Sequence, residues 1–313
     1  MEMALAVVKL ALGFILLIKG ADFFVDGSSS VAKKFRVPSM IIGLTIVAMG
    51  TSLPECAVSV TASLNNSNAL AVSNAVGSNI FNLMVVCGAC ALFSPLVVQT
   101  GTLKKEFPFS IICAVLLLGL GYQGMLLGRV DGIVLLLIFA GYLVYMIYSA
   151  LKARSKSVNE ENGKILPMWL CLFYIIGGGA AIKFGGDFVV NGATVIASKW
   201  GLSQNLIGLT IVAMGTSLPE LVTSIVAARK NEVDMAVGNV IGSNIFNILL
   251  VLGVAATISP VAFIMENIFD IFVLIVMSVM VWNFTWSKKE INRTEGIIML
   301  FFYAAYMIYI CTR

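Results

Sequence analysis

Two glutamates stand out because each lies inside an otherwise apolar stretch of the chain. Glu55 and Glu220 each end the same fourteen-residue segment, IGLTIVAMGTSLPE. A carboxylate at mid-membrane costs roughly 2.5–3.5 kcal/mol on translocon-based scales, so it requires a partner or a function. Lys19 and Lys183 are possible partners, but both are expected near span ends, from which a lysine can reach the interface. The two glutamates are therefore candidate cation ligands.

A proline precedes each glutamate, and the residues around it add oxygen ligands. Pro54 and Pro219 have no N–H, so the carbonyls of Gly50 and Gly215 lose their helical partners. A helix broken at this depth is tolerated only where it faces protein or a water-filled cavity. Each break also carries two hydroxyl residues, which are Thr51 and Ser52 in one segment and Thr216 and Ser217 in the other. Freed carbonyls, hydroxyls and a carboxylate at one depth indicate a cation site.

A second segment, Gly-Ser-Asn-Ile-Phe-Asn, also occurs twice. On a helix, Ser78 and Asn82 share a face, as do Ser243 and Asn247. Close helix packing explains the glycine of this segment. It does not explain an asparagine in each copy, whose amide oxygen is a good ligand for a hard cation. We therefore predict that Asn82 and Asn247 bind the ion or support its ligands.

This set of oxygen ligands predicts a hard cation. The chain has no histidine, and its six cysteines follow neither a disulfide nor a zinc pattern. Calcium accepts about 6–8 oxygen ligands in flexible geometry, whereas magnesium keeps several waters. Two glutamates would neutralise one divalent ion, or would help to hold several sodium ions. The sequence therefore predicts bound inorganic cations and no cofactor.

The elements that carry these residues are predicted to be transmembrane helices. The chain is 59% hydrophobic and 12% charged, about half the charge of a typical soluble domain. Apolar stretches of about 20 residues, each long enough to cross a bilayer, recur along it. We expect an all-α integral membrane protein with ten spans, at 4–24, 39–64, 69–93, 107–128, 131–151, 166–186, 203–228, 235–258, 268–286 and 295–311.

The chain is predicted to be an internal duplication. Both motifs align with their second copies at one offset, 165 residues, and so do the residues around Asp22 and Asp187. We divide the chain into a first five-helix repeat at 1–151, a cytoplasmic linker at 152–165 and a second repeat at 166–313. Because five is odd, the second repeat would be inverted in the membrane. Transporters of this architecture bind substrate near the midplane between the halves.

The positive charges predict the orientation. With the N-terminus outside, fourteen Lys and Arg residues fall in inside loops and three fall outside, which agrees with the positive-inside rule. Both termini would then be extracytoplasmic, and small size without a targeting signal favours a prokaryotic plasma membrane. The basic residues are scattered, so no nucleic-acid-binding face is predicted. The expected partners are cations and the lipid bilayer, and the sequence does not indicate an oligomeric state.

The two motifs resemble the alpha repeats of the calcium/cation antiporter superfamily, in particular its prokaryotic sodium/calcium exchanger branch. The resemblance implies four ion sites lined by spans two, three, seven and eight, with Glu55 and Glu220 as principal calcium ligands. It implies further sodium or calcium ligands in the hydroxyls of Thr51, Ser52, Ser78, Thr216, Ser217 and Ser243 and the carbonyls of Ala48 and Ala213. It also implies that spans one and six slide across the other eight as a gate.

We therefore predict a secondary antiporter that exchanges calcium for sodium. The amides of Asn82 and Asn247 argue against potassium co-transport, because the potassium-dependent branch resembles the version with Asp. The GTSLPE pattern differs from the GNxxE of the proton-coupled branch, although a calcium/proton antiporter using the same glutamates is the alternative. The inverted repeat argues against a channel. An enzyme is not expected, because the chain has no histidine and no nucleotide-binding loop.

Overall fold

The computed structural model describes residues 2–64, 69–154, 166–202 and 207–312, and most of them are helical. In chain order the helices are α1 (Glu2–Phe35), α2 (Ser39–Thr51), α3 (Leu53–Leu64), α4 (Leu70–Phe93), α5 (Thr100–Lys104), α6 (Glu106–Tyr122), α7 (Arg129–Arg154), α8 (Met168–Lys199), α9 (Ala213–Gly215), α10 (Leu218–Arg229), α11 (Val233–Ile258), α12 (Met265–Lys288) and α13 (Arg293–Thr312). Four π-helical turns lie within or directly beside the two repeated motifs. They are Gly43–Val47, Asn82–Val86, Gly208–Val212 and Asn247–Val251.

Several helices are long and apolar enough to cross a membrane. Among the described residues there are seven, namely α1, α4, α7, α8, α11, α12 and α13. The pair α2 and α3, bent by 47° where they meet, would form an eighth. Helix α6 is also apolar, but it has only 17 residues. The count of ten spans therefore stays a prediction.

Three helices end away from the predicted span boundaries. Helices α1 and α8 have 34 and 32 residues and continue well beyond the predicted ends at 24 and 186. Asp22 and Asp187 lie within these helices, and each is near a lysine one turn earlier. The fourth span is shorter than predicted, because α6 ends at Tyr122 and Gly124 then adopts a positive φ of 79°.

Four two-residue strands connect the two parts of the chain. They are β1 (Leu96–Val97), β2 (Leu126–Leu127), β3 (Val261–Ala262) and β4 (Glu290–Ile291). Strand β1 pairs antiparallel with β4, and β2 pairs antiparallel with β3. Each pair therefore joins residues from the first predicted repeat to residues from the second.

Helices α1 and α8 pack along each other in opposite directions, with glycines at the contact. A Cβ on Gly13 would lie 2.8 Å from the carbonyl oxygen of Gly185, and one on Gly20 would lie 2.9 Å from that of Gly178. Small residues allow helix backbones to approach this closely. The two helices that the resemblance implies as a sliding gate thus form one continuous pair.

Candidate cation-binding site

The two glutamates lie at the centre of the molecule, and each accepts a hydrogen bond from the opposite half of the chain. Both are 0% exposed. The Ser52 hydroxyl donates to Glu220 Oε1 at 2.9 Å, and the Ser217 hydroxyl donates to Glu55 Oε1 at 3.2 Å. Residues 168 and 162 positions apart are therefore brought together by two equivalent bonds that cross between the halves.

The same carboxylates have further hydroxyls near them and one oxygen left over. The hydroxyls of Ser78 and Ser243 lie 3.5 Å from Oε1 of Glu55 and Glu220, respectively. Oε2 of each glutamate is buried without a hydrogen-bond partner among the described residues. A buried unsatisfied polar atom is costly, and more so in a charged group. The two Oε2 atoms are therefore available as ligands at a buried position.

Breaks in the helices hold these side chains in place. Helix α2 ends at Thr51, and Ser52 adopts φ −85° and ψ 7° before α3 begins. Ser217 has nearly the same geometry, with φ −94° and ψ 5°, before α10. Each proline then falls in the first turn of the following helix, where its missing N–H leaves no gap in the hydrogen bonding. Each glutamate is also in that first turn, where the helix dipole favours a negative charge.

The two asparagines of the second motif are fully buried, at 0% exposure. Asn82 and Asn247 each begin a π-helical turn, a feature often found at functional sites. Both amide atoms of Asn82 and the amide oxygen of Asn247 have no partner among the described residues. The two amide oxygens, which occupy equivalent places in the two halves, are therefore available to a cation.

The remaining predicted ligands differ in their surroundings. The Thr51 hydroxyl lies 3.3 Å from the carbonyl oxygen of Ala48 and 3.1 Å from Asn239 Oδ1. The Ala48 carbonyl also accepts the N–H of Ser52 at 3.0 Å, so it is already engaged within the helix. Thr216, by contrast, lies on the wall of a cavity of about 600 Å³. Ala213 begins the short helix α9 that precedes Thr216.

Neither lysine considered above contacts a glutamate in the structure. Lys183 pairs with Asp187 at 2.6 Å, and Lys19 lies 3.9 Å from Asp22. Their side chains are 48% and 69% exposed. The alternative in which these lysines neutralise the buried glutamates is therefore wrong for this structure.

Four further polar residues support the site, and the sequence reasoning missed them. Asn74 Nδ2 lies 3.2 Å from the Ser59 hydroxyl and 3.3 Å from the carbonyl oxygen of Glu55. Asn239 Nδ2 lies 2.9 Å from the Ser224 hydroxyl. These two asparagine–serine pairs are related by the 165-residue offset. That repetition outside the two motifs was the signal that could have identified them.

A cavity lies next to the site. It opens between α8 and α3 and is lined by polar residues that include Thr61, Lys183, Asp187, Asn191 and Thr216. Thr216 belongs to the predicted ligand set, so this cavity connects the edge of the site with the molecular surface.

The opposite side is closed by packing and polar contacts. Helix α1 packs against α10 there. Lys230 Nζ donates to Asp26 Oδ1 at 2.8 Å and to the carbonyl oxygen of Asp22 at 3.0 Å. Glu232 accepts hydrogen bonds from the hydroxyls of Ser29 and Ser39. We call this set of contacts around Lys230 and Glu232 the latch.

Comparisons with known proteins agree over nearly the whole chain. The sequence profile described as "Sodium/calcium exchanger protein" matches residues 5–148 and 170–312. Sodium/calcium exchanger MaX1 of Methanosarcina acetivorans is 33% identical over 96% of this chain and 96% of that protein. Inner membrane protein YrbG of Escherichia coli is 40% identical over 82% of this chain and 81% of that protein.

A solved structure of the sodium-calcium exchanger NCX_Mj has the same fold. It matches with a TM-score of 0.85 and 35% sequence identity, covering 99% of both chains. The predicted resemblance is thereby confirmed. This multi-pass helical membrane protein belongs to the sodium/calcium exchanger family of cation transporters, in its prokaryotic branch.

Proposed function

We propose that this protein is a secondary active antiporter that exchanges calcium for sodium by alternating access. The observation that carries the proposal is the pair of fully buried glutamates, each with one carboxylate oxygen left without a partner. Membership of the family supports it, as does the name of MaX1. The matching NCX_Mj structure comes from material soaked with sodium and strontium, a divalent cation close to calcium in its chemistry.

The proposed calcium ligands are oxygens that the fold leaves unsatisfied. Glu55 Oε2, Glu220 Oε2, Asn82 Oδ1 and Asn247 Oδ1 supply four of the roughly 6–8 oxygens that calcium takes. Further ligands for calcium or sodium would be the hydroxyls of Thr51, Ser52, Ser78, Thr216, Ser217 and Ser243 and the carbonyls of Ala48 and Ala213. The two carboxylates would balance the charge of one calcium ion.

The same two carboxylates explain why transport would be coupled. Two buried negative charges without a cation repel each other and have lost their hydration. The empty carrier would have to change conformation while it holds both charges, whereas the loaded carrier would not. Loaded forms should therefore cross more readily than the empty form. This difference would favour exchange of one ion for another over uniport of calcium alone.

The proposed architecture has two inverted five-helix repeats, at 1–151 and 166–313, joined by a cytoplasmic linker and spanning the membrane ten times. The antiparallel packing of the equivalent helices α1 and α8 supports it. With the positive-inside orientation, the termini are extracytoplasmic, the latch faces the cytoplasm and the open cavity faces outwards. The α1–α8 pair would slide to open one side and close the other.

Proton coupling is the second candidate, because buried carboxylates can exchange a proton as well as a metal ion. The site has no histidine that would titrate near neutral pH. The hydroxyl-rich GTSLPE break instead offers oxygens that sodium accepts. We therefore place sodium first and protons second.

The test is calcium uptake into proteoliposomes loaded with sodium. Uptake should require an outward sodium gradient and should vanish in both Glu55→Gln and Glu220→Gln. Glu266→Gln, which changes an exposed glutamate in the first turn of α12, is the control and should transport as the wild type does. Uptake driven only by a pH gradient would replace sodium with protons. Sodium-driven uptake that persists in Glu55→Gln would refute the assignment of the site.

A further inference from the structure

Two buried asparagines link the central helices α4 and α11. Asn79 Nδ2 donates to the carbonyl oxygen of Asn244 at 3.1 Å, and Asn244 Nδ2 donates to the carbonyl oxygen of Asn79 at 3.3 Å. Their side chains are 0% and 3% exposed. The two bonds are reciprocal, and both join the two halves of the chain. Neither residue belongs to the predicted ligand set.

Asn79 makes a further contact that Asn244 does not. Its amide oxygen accepts a hydrogen bond from Asn247 Nδ2 at 3.0 Å. If the amide of Asn79 were flipped, its oxygen would face the carbonyl oxygen of Asn244, and its NH₂ would face the NH₂ of Asn247. Neither pair of groups can form a hydrogen bond. The orientation of Asn79 is therefore fixed from both ends. As a consequence, the NH₂ of Asn247 is held towards Asn79 and the Asn247 oxygen is left without a partner.

The equivalent bond in the other half is not made. By the 165-residue offset it would join Asn82 Nδ2 to Asn244 Oδ1, and both atoms are buried without a partner among the described residues. Asn79 thus orients Asn247, whereas Asn244 orients nothing in the same way. Asn79 and Asn244 are therefore a matched pair. Both make the reciprocal bond between α4 and α11, and only Asn79 also accepts a bond from Asn247.

We propose that Asn79 is a positioning residue, which turns the amide oxygen of Asn247 towards the bound cation by accepting its NH₂. The inference rests on the proposed function, because it takes Asn247 as a calcium ligand. Residues that orient a metal ligand without touching the metal commonly change metal affinity by about 10–100-fold when they are removed. Without Asn79, the amide of Asn247 is free to present its NH₂, which cannot bind a cation.

The test compares Asn79→Ala with Asn244→Ala by equilibrium binding of radioactive calcium to the purified full-length protein. Each variant loses one reciprocal bond between α4 and α11, and Asn79→Ala also loses the bond from Asn247, so both should lower the thermal unfolding temperature and Asn79→Ala should lower it more. Only Asn79→Ala should also weaken calcium binding, by about tenfold or more, while Asn244→Ala should change it by less than about threefold. Equal losses of affinity in the two variants would overturn the proposal, because they would indicate a structural role alone.

A double-mutant cycle with Asn247→Ala separates positioning from general damage. Once the Asn247 amide is gone, Asn79→Ala should weaken binding by no more than about twofold further. A full additional tenfold loss would contradict the proposal. If Asn79→Ala does not fold, Asn79→Ser takes its place in the cycle. Serine keeps a hydroxyl at this buried position but lacks the amide that accepts the bond from Asn247. Wild-type protein that binds no calcium would instead count against the proposed function itself.

Discussion

The two sides of the molecule are built from equivalent helices but are packed differently. On one side, α1 packs against α10, and the latch joins Lys230 to Asp26 at 2.8 Å. On the other side, the equivalent helices α8 and α3 face each other across a cavity of about 600 Å³. Ser29 contributes to the latch by bonding Glu232, whereas the hydroxyl of its equivalent, Thr194, is buried without a partner among the described residues.

The sequence explains part of this difference. The positions equivalent to Lys230 and Glu232 are Asn65 and Ser67, whose placement lies outside the described residues, and the position equivalent to Asp26 is Asn191. The charges at these three positions therefore exist on one side only. The glutamates and hydroxyls of the central site, by contrast, are identical in both halves. The duplication has preserved the site, while the groups that close its two entrances have diverged.

Under the proposed alternating access, the latch would bias the equilibrium between the two packings without fixing it. Lys230 is 30% exposed and Asp26 is 49% exposed. Ion pairs as exposed as these contribute about 0.2–1 kcal/mol each. A bias of this size shifts populations severalfold, and a bound ion can overcome it through its own differential affinity. The proposed alternating access requires a balance of this kind.

The largest expected effect comes from the tight packing on the closed side. A Cβ on Gly242 would lie 2.7 Å from the Ala48 Cβ, whereas a Cβ on the equivalent Gly77 would meet no atom within 4 Å among the residues that the structure describes. We expect Gly242→Ala to lower the free energy of unfolding by roughly 1–3 kcal/mol, the usual cost of overpacking. Gly77→Ala should stay within about 0.5 kcal/mol of the wild type. Thermal and chemical unfolding in detergent would measure both values. Equal losses of stability in the two variants would show that Gly242 and Gly77 are packed alike in the unliganded protein, which would contradict the difference between the two sides.

The next effect tests the symmetry of the site. Ser52 and Ser217 each donate one hydrogen bond to the glutamate of the other half. A hydrogen bond to a charged group contributes about 1.5–3 kcal/mol, so Ser52→Ala and Ser217→Ala should each raise the half-saturating calcium concentration by about tenfold. Ser287→Ala, near the exposed end of α12, is the control. Initial uptake rates would give these values, and a large effect in one variant only would mean that the site is not used symmetrically.

The sequence predicted the central site better than the packing around it. The identical GTSLPE segments placed Ser52 and Ser217 at equivalent positions, and the prolines predicted the helix breaks that bring them to the glutamates. Asn79 was missed, because GSNIFN was considered only for side chains that share the face of Asn82. The contact of Asn79 with Asn247 crosses between two helices that are far apart in sequence, and spacing along one helix cannot reveal it.

The long α1 and α8 helices and the open cavity were also beyond the sequence. Hydropathy ended both spans near Asp22 and Asp187, because it counts a charge as a boundary. It does not register that a lysine one turn away keeps the carboxylate within the helix. The side that is open was not predicted, because the charged residues that distinguish the two sides, Lys230, Glu232 and Asp26, lie outside both repeated motifs.

A smaller effect is expected when the latch is made to resemble the other side. Lys230→Asn introduces the residue type found at the equivalent position 65 and removes the contacts with Asp22 and Asp26. Amide hydrogen exchange in 22–35 should speed up by about threefold to tenfold, because the closed packing opens more often. Lys183→Asn is the control, since it breaks a pair confined to α8 and should leave exchange in 22–35 unchanged. Unchanged exchange in Lys230→Asn would mean that packing alone closes this side.

The smallest expected effect comes from Asp26→Asn, which mimics Asn191 of the open side. Lys230 would keep its bond to the carbonyl oxygen of Asp22 at 3.0 Å and its ion pair with the Asp22 carboxylate at 3.4 Å. One partly exposed ion pair is lost, so exchange in 22–35 should rise by about twofold, and less at high salt, where surface charges are screened. If the effect of Asp26→Asn equals that of Lys230→Asn, the latch depends on this single pair, and the Asp22 contacts contribute nothing to closure.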